Sequence, residues 1–396
     1  MPKPCAEEWR KLEIHMKIVY ISGNSMFLCS GGKVTELPCE RAARYTDTVN
    51  EINKNKEWKH SGAGAMFRED IRYFPDASRS VSINGVSASG EDFIYSAVLG
   101  EMGAIYRKSA DSPKAPEGHI YTGMNRDIGS IAYKNGRIAA ILDGHLAIFD
   151  ERGDYNELTD GHSVEDSPFW SATDGRIFCS TKGRALEGGS GYSASSILSV
   201  DESAGTIDTL FAEEGNDLLE PKNDADGNYY FIRQPFRQTR ENKEPVWKSV
   251  LLFPVRIIKA LFGFLNAFTV LFGGEALRSN QRKGDVKSKN KSPRELFFEE
   301  RMREAEKNEK ENAAAGDKNP GIFPRSRVLV RISPDETETI LCKGVLDYTL
   351  CSEGVIFSNG KEIILIGKDG SEKVIAKAEF AEKLSVINEK NASAEK

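Results

Sequence analysis

The sequence predicts an all-β protein: a β-propeller of six four-stranded blades, closed by its N- and C-terminal strands, with a mostly helical insertion in one blade. Three observations predict it. A strand–turn grammar returns roughly every 35–45 residues, the signature of a repeat architecture. The turns are Asn-Gly and Asp-Gly pairs between alternating apolar runs, the strongest short hairpin signal because these residues tolerate positive φ. The two ends of the chain carry incomplete units that complete each other.

Taken in order, residues 1–15 read as a tail, and "MKIVYISG" from Met16 reads as a natural chain start that enters a strand at once. Propeller grammar then fills 16–237 and 326–388, with a disordered tail at 389–396. The first part opens with three strands only, "KIVYISGN", "SMFLCSGG" and "KVTELP". Residues 41–75 read as a short helix and loop between blades. A weak unit follows from "SVSINGVSASGEDFIYS" to "HIYTG".

The clearest unit is Asp127–Gly161, whose pieces end on Asn135-Gly136, Asp143-Gly144, Arg152-Gly153 and Asp160-Gly161. Four strands in a meander make one blade. A third unit runs from "HSVEDSPFW" to "TIDTLFAEEG". A fourth begins at "NDLLEPKNDADGNYYFIRQPF" and resumes far downstream at "RVLVRISPDETETILCKG". A fifth occupies Val345–Ala378, and "KLSVINE" is left over, the strand that the three N-terminal strands lack. The count is six. Five or seven blades also fit, because residues 41–80 are hard to read.

The stretch "SPFWSATDGRIFCST" carries Pro168, Trp170, Ser171, Asp174, Gly175, Ile177 and Phe178. In these positions it resembles the TolB-type propeller repeat, which is related to WD-repeat-like propellers. The match covers one blade. The resemblance implies a propeller fold and a binding or scaffolding role; repeats of this kind specify fold, not activity.

Residues 238–325 break the pattern. The run Val250–Gly274, "VLLFPVRIIKALFGFLNAFTVLFGG", is long enough to span a bilayer. Arg256 and Lys259 interrupt it, at about 2.5–3.5 kcal/mol per central cation. On a helix, Arg256, Lys259, Gly263, Asn266 and Gly273 fall in one arc of about 100°. The remaining face holds Ile257, Ile258, Leu261, Phe262, Phe264, Leu265, Phe268, Leu271 and Phe272. Such a surface must be buried in something.

Next comes a basic stretch with Arg278, Arg282, Lys283, Lys287, Lys289, Lys291 and Arg294, in a chain of net charge -6. A basic run beside an amphipathic helix is what an anionic bilayer attracts, at about 1 kcal/mol per cation. Trp247 is placed as an interfacial anchor. Trp247, Arg256, Ile258, Lys259, Leu261, Phe262, Leu265, Phe268, Phe272 and the cations Arg278, Arg282, Lys283, Lys287, Lys289 and Lys291 are therefore the expected docking residues. Their partner is an anionic membrane surface or, in the alternative, a protein or second copy that covers the apolar face. From Ser292 a capping box with Glu295, and Pro293 in the first turn, starts a charged helix. Leu296, Phe297 and Met302 could dock it, and composition beyond Lys307 favours a disordered spacer.

The chain of 396 residues is 39% hydrophobic and 29% charged, an ordinary globular balance. Its acidic total argues against nucleic acid as a partner. The scattered cysteines and the opening residues read as those of a cytoplasmic protein with reduced thiols, peripheral to the inner face of the cell membrane. No phosphate loop or G-x-S-x-G order is present. "NDADGN" lacks calcium-loop spacing and reads as a hairpin turn. His145 and His162 sit at turn ends as structural or solvated residues. No catalytic residue, cofactor or metal is assigned.

Two classes of function remain. One is a non-enzymatic binding or scaffold propeller, expected to lack a convergent titratable set at its axis. The other is a propeller enzyme, a hydrolase or lyase on a sugar or lactone. That enzyme would need carboxylates with a His or metal at the axis, drawn from residues such as Asp127, Glu165, Asp166, Asp217 and Glu220.

Overall fold

A computed structural model describes residues 16–56, 81–112, 115–183, 192–236 and 293–387. They hold six separate four-stranded antiparallel sheets. Blade I contains β1 (Lys17–Ser22), β2 (Ser25–Ser30) and β3 (Lys33–Leu37). After helix α1 (Glu40–Lys56) comes blade II, with β4 (Val81–Ser89), β5 (Asp92–Leu99), β6 (Met102–Ser109) and β7 (Gly118–Met124). Blade III has β8 (Ile128–Lys134), β9 (Arg137–Leu142), β10 (His145–Asp150) and β11 (Tyr155–Glu157). Blade IV has β12 (Ser163–Trp170), β13 (Ile177–Gly183), β14 (Ser196–Asp201) and β15 (Thr206–Phe211).

Blade V is split by the insertion. It takes β16 (Asn216–Asn223) and β17 (Tyr229–Pro235) from one side, then β18 (Val328–Ile332) and β19 (Glu338–Lys343) from the other. Blade VI has β20 (Asp347–Cys351), β21 (Gly354–Ser358), β22 (Glu362–Gly367) and β23 (Glu372–Lys377). The last strand, β24 (Glu382–Ile387), returns to blade I in the order β24-β1-β2-β3. The two ends of the chain thus close one blade, as their incomplete units require.

The hairpins follow from local chemistry. Asn135 and Gly136 adopt φ of 50° and 80° and join the paired Lys134 and Arg137. Asp143 and Gly144, at 53° and 91°, join Leu142 to His145 in the same way. Both pairs supply two consecutive positive φ values, as a type I′ turn requires. The "NDADGN" segment is likewise a turn: the Asp224 carboxylate accepts the N–H of Asp226 at 3.0 Å and of Asn228 at 2.9 Å.

The core lies between blades. Ile94, Ile105, Ile128, Ile138, Leu142 and Phe149 of blades II and III form one buried cluster. Tyr230, Leu329, Tyr348, Phe357 and Ile364 do the same for blades V and VI. The "SPFWSATDG" residues also act between blades. Trp170 Nε1 donates to Ala132 O of blade III at 3.1 Å, while Asn223 of blade V accepts the Ala172 N–H at 2.8 Å.

Helix α2 (Pro293–Ala314) starts where the Ser292 capping signal places it. It does not end near Lys307, and this corrects the expectation of a disordered spacer. Asn308 Nδ2 donates to Ile322 O at 3.0 Å, and Asn312 Nδ2 to Gly321 O at 2.7 Å and Phe323 O at 2.9 Å. The amides anchor the last turns to the chain that re-enters blade V. Charged composition concealed this because two asparagines, not an apolar stripe, do the docking. Of the described residues, 52–56 and 293–299 fall in a unit separate from the propeller.

Candidate functional site

Each blade presents one innermost strand to the axis: β4, β8, β12, β16, β20 and β24. These strands have one free edge, so proline and bulges are tolerated there. Five of the six carry a register break: between Ile83 and Gly85, Ile128 and Ile131, Asp166 and Phe169, Leu219 and Lys222, and at the β24 residues that face Val19 to Ile21. A bulge re-aims the side chains beside it. In β12, β16 and β24 it places Ser167, Glu220 and Lys383 at φ of 52°, 55° and 53°. Positive φ is uncommon for such residues and concentrates at functional sites.

The bulges open on a cavity of about 180 Å³, lined by residues from all six innermost strands. Its charged lining is Lys134, Glu220, Lys222, Asp347 and Lys383. Lys383 Nζ lies 3.1 Å from Ser167 Oγ and 3.6 Å from Glu220 Oε1. The Lys383 and Glu220 side chains are 24% and 15% exposed, so both remain reachable from the funnel. Lys222 sits over the Tyr348 ring at 4.3 Å and donates to Tyr348 O. The Tyr348 hydroxyl donates back to Glu220 O at 2.6 Å. Asp347 is buried and accepts its neighbour's N–H, from Tyr348, at 2.6 Å and the Leu384 N–H of the closing strand at 2.7 Å.

Glu220 is the anomalous member. Its Oε2 is shut from solvent and meets no donor. Burial, and next the Asp347 carboxylate, push its carboxyl up to about 8, against the pull of Lys383 and Lys222. A proton shared towards Asp347 satisfies an oxygen that ionisation would leave stranded beside a like charge. Burial also lowers the Lys222 ammonium. Burial works to raise Asp166, but the Lys383 ammonium, the Ser130 hydroxyl and the Ser167 N–H outweigh it and hold Asp166 below the usual carboxylate range.

Of the five acids named from sequence, Asp166 and Glu220 reach the axis. Asp127 stays exposed at a turn. Glu165 is buried in a bolt, accepting from Thr159 at 2.9 Å and Thr181 at 3.2 Å, with His145 Nδ1 3.2 Å away. Asp217 accepts the Ser195 N–H at 2.9 Å. Sequence reasoning missed Lys222, Asp347 and Lys383. A signal for two blades was present: Pro168 and Pro221 lie inside strands, which marks a bulged free edge and hence the axis.

The expectation that a binding propeller has a bare axis is therefore corrected: carboxylates and ammonium groups converge there. Among the described residues no histidine lines the cavity. Among the described residues no group of side chains is arranged to hold a metal ion, and no helix is long and apolar enough to cross a membrane. All the expected docking residues, Trp247 to Lys291, and the docking side chains of Leu296, Phe297 and Met302, lie outside the residues described.

The six sheets and their central funnel define the class: a six-bladed β-propeller with a charged axial site. Solved structures similar to the chain include TolB from Acinetobacter baumannii, at 9% identity over 95% of this chain and 68% of that one, with a TM-score of 0.44. They also include the tricorn protease, at 11% identity, 93% and 34% coverage and a TM-score of 0.45. An oligogalacturonate lyase from Vibrio parahaemolyticus matches at 6% identity, 89% and 73% coverage and a TM-score of 0.34. TolB, whose repeat "SPFWSATDGRIF" resembles, is thus among the structural neighbours. No family model matches the chain, and no curated protein matches its sequence.

Proposed function

We propose that the chain is a non-enzymatic binding propeller whose axial funnel is its ligand face and whose 250–294 segment docks it on an anionic membrane surface. The observation that carries the ligand face is the cavity shared by all six innermost strands, with Glu220, Asp347, Lys222 and Lys383 on its wall. Concave sites with a few convergent polar groups are where small ligands bind. The docking half draws its support from sequence: a wide apolar helix face beside a cationic run in an acidic chain.

Two experiments test the two halves. Thermal-shift screening of small neutral, cationic and anionic polar compounds against the full chain should find at least one that stabilises it. Complete indifference removes the ligand face. Co-sedimentation with anionic liposomes should be lost at high salt and on deletion of Val250–Arg294. Binding that survives the deletion removes the docking role.

One observation favours the enzymatic alternative: a carboxyl that keeps its proton near neutral pH is suited to general acid chemistry. The wall formed by the described residues carries carboxylates and lysines but no histidine, so it does not support the carboxylate-and-histidine version of that site.

A further inference from the structure

The lining of the axial funnel is rich in ammonium groups although the chain as a whole is acidic. Three ammonium groups face it, from Lys134, Lys222 and Lys383. Lys134 and Lys222 each donate to one backbone carbonyl, of Ser171 and Tyr348, and an ammonium has three hydrogens to give. Against them stand Asp347, already engaged by two backbone N–H groups, and, behind the lining, Asp166 and Glu382, which both act on Lys383. Glu220 carries no charge while it holds its proton. Ammonium hydrogens of Lys134 and Lys222 are thus left for an acceptor-rich ligand, in a chain whose formal net charge is -6.

The rest of the wall is hydroxylic. Ser87 Oγ accepts the Tyr133 N–H at 2.9 Å and Ser385 Oγ accepts the Ala88 N–H at 2.8 Å. Accepting leaves each hydroxyl its proton to give to a ligand oxygen. The cavity, at about 180 Å³, falls below the range of about 300–1,000 Å³ typical of drug-sized ligands. The occupant is therefore small.

We infer that the axial funnel binds a small polyhydroxy carboxylate, with its carboxylate on Lys383 and Lys222 and its hydroxyls on the Ser87 and Ser385 side of the wall. A neutral polyol would leave the unused ammonium hydrogens without a charged acceptor. The Glu220 carboxyl, as a neutral donor or acceptor, adds a hydrogen bond without repelling the anion. This inference rests on the funnel being the ligand face.

The test is calorimetric titration of the full chain with gluconate, beside sorbitol as the neutral polyol and inorganic phosphate as the compact dianion. Gluconate should bind, and bind at least tenfold more tightly than either control. Lys383→Met and Lys222→Met should each weaken gluconate by about tenfold or more, the worth of a charge-assisted hydrogen bond. Each variant is first checked for an unchanged melting transition, and the wild-type comparison of three ligands needs no variant. Sorbitol binding as well as gluconate overturns the charge requirement while leaving the funnel a ligand face. Phosphate binding best overturns the carboxylate. Gluconate binding unaffected by both lysine variants overturns the location. No binding of gluconate overturns the inference, and the ligand-face reading then stands or falls on the broader screen.

Discussion

Lys383 Nζ stands 3.6 Å from Glu220 Oε1, which ties the closing strand β24 to blade V on the wall of the axial cavity. Both residues hold positive φ at a bulge. The ring closure that completes the fold is therefore also what assembles the site.

That placement sets a pH dependence of stability. Glu220 has a folded value of about 8 against 4.5 for the free group. Folded protein therefore binds a proton that unfolded protein releases between those values. Stability is fully present below about pH 4.5 and declines as pH rises towards 8. Melting temperature measured from pH 5 to 9 should fall through this window, and Glu220→Gln, which keeps the shape without the ionisation, should flatten the fall. A wild-type profile as flat as that of the variant contradicts the placement.

A second buried pair acts elsewhere. The Lys108 ammonium lies 3.6 Å from the Glu117 carboxylate with both side chains shut from solvent. Glu117 also accepts the Glu40 and Arg41 N–H groups at 2.9 and 3.0 Å, capping α1. Removing one partner strands the other charge, at about 3–5 kcal/mol. Lys108→Met should cost that much in urea denaturation. Lys108→Met with Glu117→Gln should cost less than the two single changes added together.

The closing strand carries its own prediction. Leu384 and Ile387 are buried, and Asp347 holds the Leu384 N–H. Ending the chain at Ala381 removes these contacts and bares the edge of β1, a ready site for aggregation. Loss of more than about 4 kcal/mol, or failure to obtain soluble monomer, is expected, because both a strand and its buried side chains go. Size-exclusion chromatography and urea titration read it.

Gly85 tests the packing of the innermost strands. A Cβ there would lie 2.8 Å from Ile131 N and 3.0 Å from Ser130 Cα, both in the backbone of β8. Backbone cannot swing aside, so Gly85→Ala should destabilise by about 1–3 kcal/mol. The same change at Gly161, with nothing within 4 Å of its Cβ, should show only the strain of its φ of 102°.

Much of the fold was legible because its information is local. Asn135-Gly136 and Asp143-Gly144 announce hairpins within two residues, and the unmatched strands at 17–37 and 382–387 announce closure. Even the split of blade V was readable, since "YYFIRQP" needs a partner that only "RVLVRIS" supplies. The site was legible only in part. Glu165 and Asp166 are neighbours, yet one bolts β12 to its surroundings and the other reaches the axis. Strand alternation puts them on opposite faces, and the register that pairs Asp166 with Ser180, ahead of the bulge, decides which face meets the axis. Lys222, Asp347 and Lys383 meet through ring closure, a relationship no local pattern encodes.

The most direct measurement of the central claim is the gluconate affinity of the full chain as a function of pH from 6 to 9. If the funnel is the ligand face and Glu220 keeps its proton within it, affinity falls as pH passes about 8, because the new carboxylate repels the anion. Glu220→Gln then binds with a flat profile. An affinity that stays level or rises through pH 8 in the wild type contradicts the account.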